Sequence, residues 1–136
     1  MKLCSRCKQE KPFDEFGWRN KDRGWRQAYC RECNRLANSQ HYKLNKETYK
    51  AKAKQYKKTL LDKKKEYLQS HPCVNCGESD HVVLHFDHVN PNDKVSEIST
   101  MIRNGTAWKN ILNEIEKCQV LCANCHMRRT AKQFNW

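Results

Sequence analysis

Apolar positions along this chain change their spacing several times, and each change marks a predicted element. In residues 1–34, turn signals at Lys11-Pro12 and at 20–24 separate two short aromatic segments, 13–18 and 25–29. That pattern predicts a small hairpin whose minimal core is Phe13, Phe16, Trp18, Trp25 and Tyr29. Stacking of Trp18 or Trp25 on nucleic-acid bases is the lesser reading, because so few other core candidates exist. From about residue 35 to 69 there is no Pro or Gly, and Lys, Ala, Leu, Gln and Glu dominate, which predicts helix. Tyr42, Tyr49 and Tyr56 recur every seven residues, with Ala53, Leu60 and Tyr67 at a second heptad position, so the helix carries one narrow apolar stripe. Asn45 before Lys46-Glu47 is a candidate cap, which leaves one long helix or two open. Ser70-His71-Pro72 ends the segment, since the residue before proline is pushed out of the helical region.

The second half reads differently. Residues 82–88 are rich in β-branched and apolar side chains and predict a strand, and 89–93 a turn. Val95, Ile98, Met101 and Ile102 keep helical spacing until Asn104-Gly105. Trp108, Ile111, Leu112 and Ile115 predict a further short helix capped by Thr106. A short strand at 119–121 then leads into a final helix from about 124 to 132. The expected class is α+β, in three parts: 1–34, a helical linker at 35–70, and 71–136.

With 136 residues, 38% hydrophobic content and a mean hydropathy of −1.06, the chain is poor in material for one large core. Metal-stapled modules would meet that shortfall. No apolar run suits a signal peptide or a membrane span, so the expected location is cytoplasmic, where paired cysteines more often bind metal than form disulfides. The net charge of +12 is lopsided: residues 1–70 hold 20 Lys/Arg against 8 Asp/Glu, whereas 71–136 hold seven of each. Such a basic half implies a polyanion, and nucleic acid is favoured over a membrane surface because no broad Leu/Phe/Trp insertion face accompanies the charge.

The nine cysteines fall as four Cys-x-x-Cys pairs, Cys4/Cys7, Cys30/Cys33, Cys73/Cys76 and Cys122/Cys125, plus Cys118. A two-residue gap lets both thiolates of a tight turn reach one ion, and two such knuckles complete a tetrahedral site. Sequential pairing predicts two structural zinc ions and a zinc-ribbon-like first module. Redox chemistry is disfavoured by the presence of four pairs together. Residues 122–126 also match the Cys-x-x-Cys-His pattern of covalent haem attachment, but Cys73/Cys76 offers the same cysteines a zinc partner. Cys118 reads as a small buried apolar residue.

Asp87-His88 at a strand end and His126 at a helix start are joined through the second zinc framework. Carboxylate and imidazole suit a divalent ion that contacts phosphate, and a neighbouring imidazole can take a proton from water. Cys73-x-x-Cys76, then residues 84–89 (Leu-His-Phe-Asp-His-Val), then 119–130 with Cys122-x-x-Cys125-His126-x-x-Arg129-Thr130, resemble an HNH endonuclease of the zinc-bound ββα-metal kind. The resemblance spans about residues 71–132. The first 69 residues are similar, less specifically, to zinc-ribbon-plus-basic-helix extensions found before such domains in phage and mobile-element proteins.

The resemblance implies a DNA endonuclease in a bacterial host cytosol, phage-encoded origin included. His88 would be the general base, and Asp87 and His126 would hold one catalytic magnesium or manganese ion, giving 5′-phosphate and 3′-hydroxyl ends. Cys73, Cys76, Cys122 and Cys125 would hold saturated structural zinc, and Cys4, Cys7, Cys30 and Cys33 the other ion. Arg128, Arg129 and Lys132 would meet flanking phosphates, and Lys50, Lys54, Lys57 and Lys58 would lie along double-stranded DNA. The chain departs from the family at Lys117, which stands where a loop-bracing asparagine is common; Asn113, Asn110 and Asn90 are candidate substitutes. His85 shares strand parity with Asp87 and reads as a packing residue beside the metal. The alternatives are a non-catalytic double-zinc nucleic-acid-binding protein, or an accessory nuclease-like subunit whose Tyr42/Tyr49/Tyr56 stripe docks a partner or a second copy.

Overall fold

The computed structural model describes all 136 residues, Met1 to Trp136. It is a small mixed α/β structure with two groups of four cysteines. The chain forms two compact units, Met1–Lys50 and Ala51–Trp136. The division falls inside the longest helix rather than at either of its ends.

In the first unit, β1 (Lys2–Leu3) pairs antiparallel with β2 (Glu10–Lys11), and β3 (Trp18–Asn20) with β4 (Trp25–Arg26). Gly24 adopts a φ of +69°, which turns the second hairpin without a Cβ penalty. Helix α1 (Arg31–Gln69) follows as one uninterrupted element of 39 residues, so Asn45 does not restart it. The Asn45 side chain donates instead to the His41 carbonyl at 2.8 Å, one turn back. Cys4, Phe16, Cys30 and Cys33 are the buried core. Phe13, Trp18, Trp25 and Tyr29 are exposed, which corrects the expected aromatic core. Three cysteine sulfurs and one phenyl ring already fill so small an interior.

In the second unit, β5 (Leu84–His88) pairs antiparallel with β6 (Cys118–Cys122), with Asp87 opposite Gln119 and His88 opposite Cys118. Val82 and Val83 stay outside the strand, because the Asp80 side chain and carbonyl accept their N–H groups at 3.0 and 3.1 Å and hold them in a turn. Two short helices, α2 (Ile98–Arg103) and α3 (Trp108–Ile115), lie between the strands, and α4 (Ala123–Phe134) follows β6. Val95 is exposed and precedes α2. Ala107, not Thr106, occupies the N-cap of α3, while the Thr106 N–H goes to the Met101 carbonyl.

The later turns of α1 supply the core of this unit. Leu60 is buried with Ile98, Ile102, Ile111 and Ile115, and Leu68 with Leu84, Val120, Leu121 and three of the cysteines. Leu60→Ala should cost about 2–5 kcal/mol, as expected for emptying a fully buried leucine site. A urea melt that shifts by less than about 1 kcal/mol would show that this packing contributes little. The tyrosine stripe divides: Tyr42 stacks on Tyr49 with centroids 5.7 Å apart, whereas the Tyr56 hydroxyl reaches the Thr106 carbonyl at 3.5 Å beside Gly105.

Candidate functional site

Each cysteine group is assembled from one turn and one helix start. The Cys4 N–H bonds the Gln9 carbonyl and the Lys8 N–H bonds the Cys4 carbonyl; Cys73, Gly77 and Glu78 repeat both bonds. The position after the second cysteine has positive φ in both turns, +59° at Lys8 and +77° at Gly77. The second pair of each group lies at a helix N-terminus, Cys30/Cys33 at α1 and Cys122/Cys125 at α4. In both units, then, one knuckle is a turn and the other a helix start, with antiparallel strands between them.

Within each group all four sulfurs lie within 4.8 Å of one another, and Cys76 Sγ is 3.6 Å from Cys122 Sγ. Four thiolates at about 2.3 Å from one ion would sit about 3.8 Å apart, so the donor sets fit tetrahedral zinc. All nine cysteines are free thiols. Burial works against the thiolates of Cys4 and Cys73, yet backbone N–H groups outweigh it and bring both down to about 6. At Cys33, burial and the neighbouring sulfurs push the thiol up to about 12; at Cys125 the Cys122 sulfur and burial do the same. Cys118 belongs to neither group. It is half-buried, its thiol pushed up to about 11 by burial and by Glu114.

The knuckle at α4 fixes a second constellation. β5 carries Asp87 and His88, and the first turn of α4 carries His126. Asp87 Oδ1 lies 3.4 Å from His126 Nε2, near the separation of neighbouring ligands around one ion. Gln119, directly across the ladder, donates to Asp87 Oδ2 at 3.2 Å. Arg129 also pairs with Asp87 Oδ2 and donates to the Val89 carbonyl, so it faces the site rather than open solvent. Asp87, His88, His126 and Arg129 share the wall of one hollow of about 190 Å³. No family model, curated protein or solved structure matches this chain.

His88 shows why its surroundings matter. Its Nε2 lies 2.8 Å from Glu114 Oε1, and both side chains are under a tenth exposed. Burial alone would raise the Glu114 carboxyl. Lys117, the Val95 N–H, His88 and the Ser96 N–H bond it and bring it down to about 2. An ionised carboxylate only accepts, so His88 Nε2 is the donor in this bond and Nδ1 is the ring nitrogen that Glu114 leaves free.

Glu114 was not among the residues picked out from the sequence. Its signal was an acid three residues after Ile111 and one before Ile115, on the buried face of a short helix. Lys117 donates to Glu114 Oε2 at 2.8 Å and to the Asp93 carbonyl at 3.0 Å, tying α3 to the turn after β5. Asn90 accepts from the Asn92 N–H and donates to Asp93 within that turn. Lys117 and Asn90 therefore brace the loop together. His85 is exposed, with its ring centroid 6.1 Å from that of His126. Arg128, Lys132, Lys50, Lys54, Lys57 and Lys58 are exposed.

Proposed function

We propose that this chain is a metal-dependent DNA endonuclease of the HNH type. The observation that carries the reading is the convergence of Asp87, His126 and His88 on one hollow, with Asp87 Oδ1 and His126 Nε2 3.4 Å apart. Asp87 and His126 would hold a magnesium or manganese ion, leaving its remaining positions to water and phosphate. When bound, that ion supplies Lewis-acid polarisation of a non-bridging phosphate oxygen and stabilises the departing 3′-oxygen.

The protein's own residues do the rest. His88 Nδ1 accepts a proton from a water whose oxygen bonds to phosphorus, as the bond from phosphorus to the 3′-oxygen breaks and that oxygen, leaving with the bond's electron pair, takes a proton from solvent water to become a hydroxyl. Glu114 holds the imidazole in the tautomer that allows this. Gln119 and Arg129 hold the Asp87 carboxylate in place, and exposed Arg128 and Lys132 add positive charge to α4. The two zinc sites stay saturated and structural. Exposed Lys50, Lys54, Lys57 and Lys58 favour a duplex backbone as the partner of α1.

Supercoiled plasmid should be nicked or linearised in magnesium or manganese, and left intact by Asp87→Ala. A plasmid equally intact with wild type and variant, in either metal, would remove the enzyme reading. Salt-sensitive binding that persists in that case would favour the non-catalytic double-zinc reading.

A further inference from the structure

The hairpin β3–β4 of the first unit has a composition that its own fold does not require. Trp18 and Trp25 are 43% and 52% exposed, and Phe16 alone fills the aromatic share of the core. Residues 18–26 contain four Arg/Lys against one Asp. The arginines are ordered against the rings: Arg26 Cζ lies 3.3 Å from the Trp18 ring centroid and Arg23 Cζ 5.3 Å from that of Trp25. Arg26 is anchored in turn by donating to the Phe16 carbonyl at 3.0 Å. Beside the hairpin lies an open hollow of about 320 Å³, lined by Arg19, Gln27, Ala28, Tyr29 and Asn34. It presents an aromatic ring, two carboxamides and a guanidinium.

We infer that this face binds single-stranded DNA, with Trp18 and Trp25 stacking on unpaired bases and Arg19 and Arg23 on the intervening phosphates. Indole faces gain from bases only where those bases are not already stacked within a duplex, and every base offers a π-face. The Asn34 carboxamide donates to that of Gln27, which leaves the Gln27 amide N–H groups and the Asn34 carbonyl oxygen as the donor and acceptor for an unpaired base, and Tyr29 provides a third ring. An acidic protein partner would account for the arginines but not for rings and carboxamides set beside them. A lipid surface fits poorly, since residues 18–26 contain no Leu, Ile, Val or Phe to insert. The choice of DNA over RNA rests on the endonuclease reading; the stacking surface does not.

The test is fluorescence anisotropy of a labelled deoxythymidine oligonucleotide of about 12 nucleotides, titrated with the full chain carrying His88→Ala. Trp18→Ala and Trp25→Ala should each weaken binding about tenfold, as loss of one stacked base does. Trp→Phe at either site should recover most of the loss. Both exposed rings can be removed without emptying the core, and retention of zinc by the variants confirms the fold. Binding by the double Trp→Ala variant within about twofold of the parent would overturn the proposal. Tighter binding of the matching RNA, or of anionic vesicles, would overturn the assignment of DNA. If plasmid stays uncut while the tryptophan-dependent affinity persists, the nuclease reading fails and this surface stands; the reverse result removes only the surface.

Discussion

Stripping zinc with a strong chelator should unfold both units, and the second unit should lose its candidate site with its core. The Cys73/Cys76/Cys122/Cys125 group is continuous with that core, since Cys73, Cys122 and Cys125 are buried against Leu68, Leu84, Val120 and Leu121. Structural zinc contributes about 10–16 kcal/mol in small metal-folded peptides, comparable to the whole stability of an ordinary domain. Without the ion, four thiols would be brought together with no compensating bond. The ladder β5–β6 and the start of α4 would lose the anchor that brings Asp87 to His126. Elemental analysis should find two zinc ions per chain, and Cys122→Ser should find one. That variant should also lose the ellipticity of the second unit and all cleavage. A chelated protein with an unchanged thermal melt, or a native protein with no zinc, would sink the assignment.

The second large effect concerns His88 and Glu114. His88→Ala should lower the rate of phosphodiester cleavage by about 10²–10⁴-fold, the range expected for loss of a general base. Glu114→Ala should lower kcat by about 10²-fold with KM nearly unchanged, because Glu114 meets the imidazole rather than DNA. The two losses should not add, since the carboxylate acts through the ring. A Glu114→Ala enzyme with full kcat would exclude the positioning role.

Glu114 also has a stability signature. Its carboxyl sits at about 2 in the folded protein against an ordinary 4.5, facing His88 and Lys117 as well as the Val95 and Ser96 N–H groups, while the Cys118 thiol donates to the Glu114 backbone carbonyl. A depressed carboxyl stabilises fully above about pH 4.5, and that contribution is lost as pH falls toward about 2. Glu114→Gln should be less stable at neutral pH by about 1–3 kcal/mol. Because acid also releases zinc from both forms, the quantity to follow is the difference between wild type and Glu114→Gln. That difference should narrow between pH 4.5 and 2; a constant gap would refute the assignment.

Much of the local structure follows from sequence patterns alone. Cys-x-x-Cys spacing marks the turns, because two thiolates three positions apart reach one ion only across a tight bend. The absence of Pro and Gly from 35 to 69 predicts helix, and Asp87-His88 and His126 are set apart by their chemistry. These are near-neighbour effects, carried by propensity, spacing and ligand geometry. Non-local packing decided the rest. Whether Trp18 and Trp25 are core or surface depends on how much volume three buried cysteines and Phe16 occupy, which no periodicity records. Leu60 and Leu68 became core only because α2, α3 and β6 return to them. Glu114 became a partner of His88, and Lys117 a brace, because α3 brings residues 26 and 24 positions from their partners into hydrogen-bond range. A sequence states which groups can form a bond; the distances between groups far apart along the chain are set by the fold, and in this protein those distances make the site.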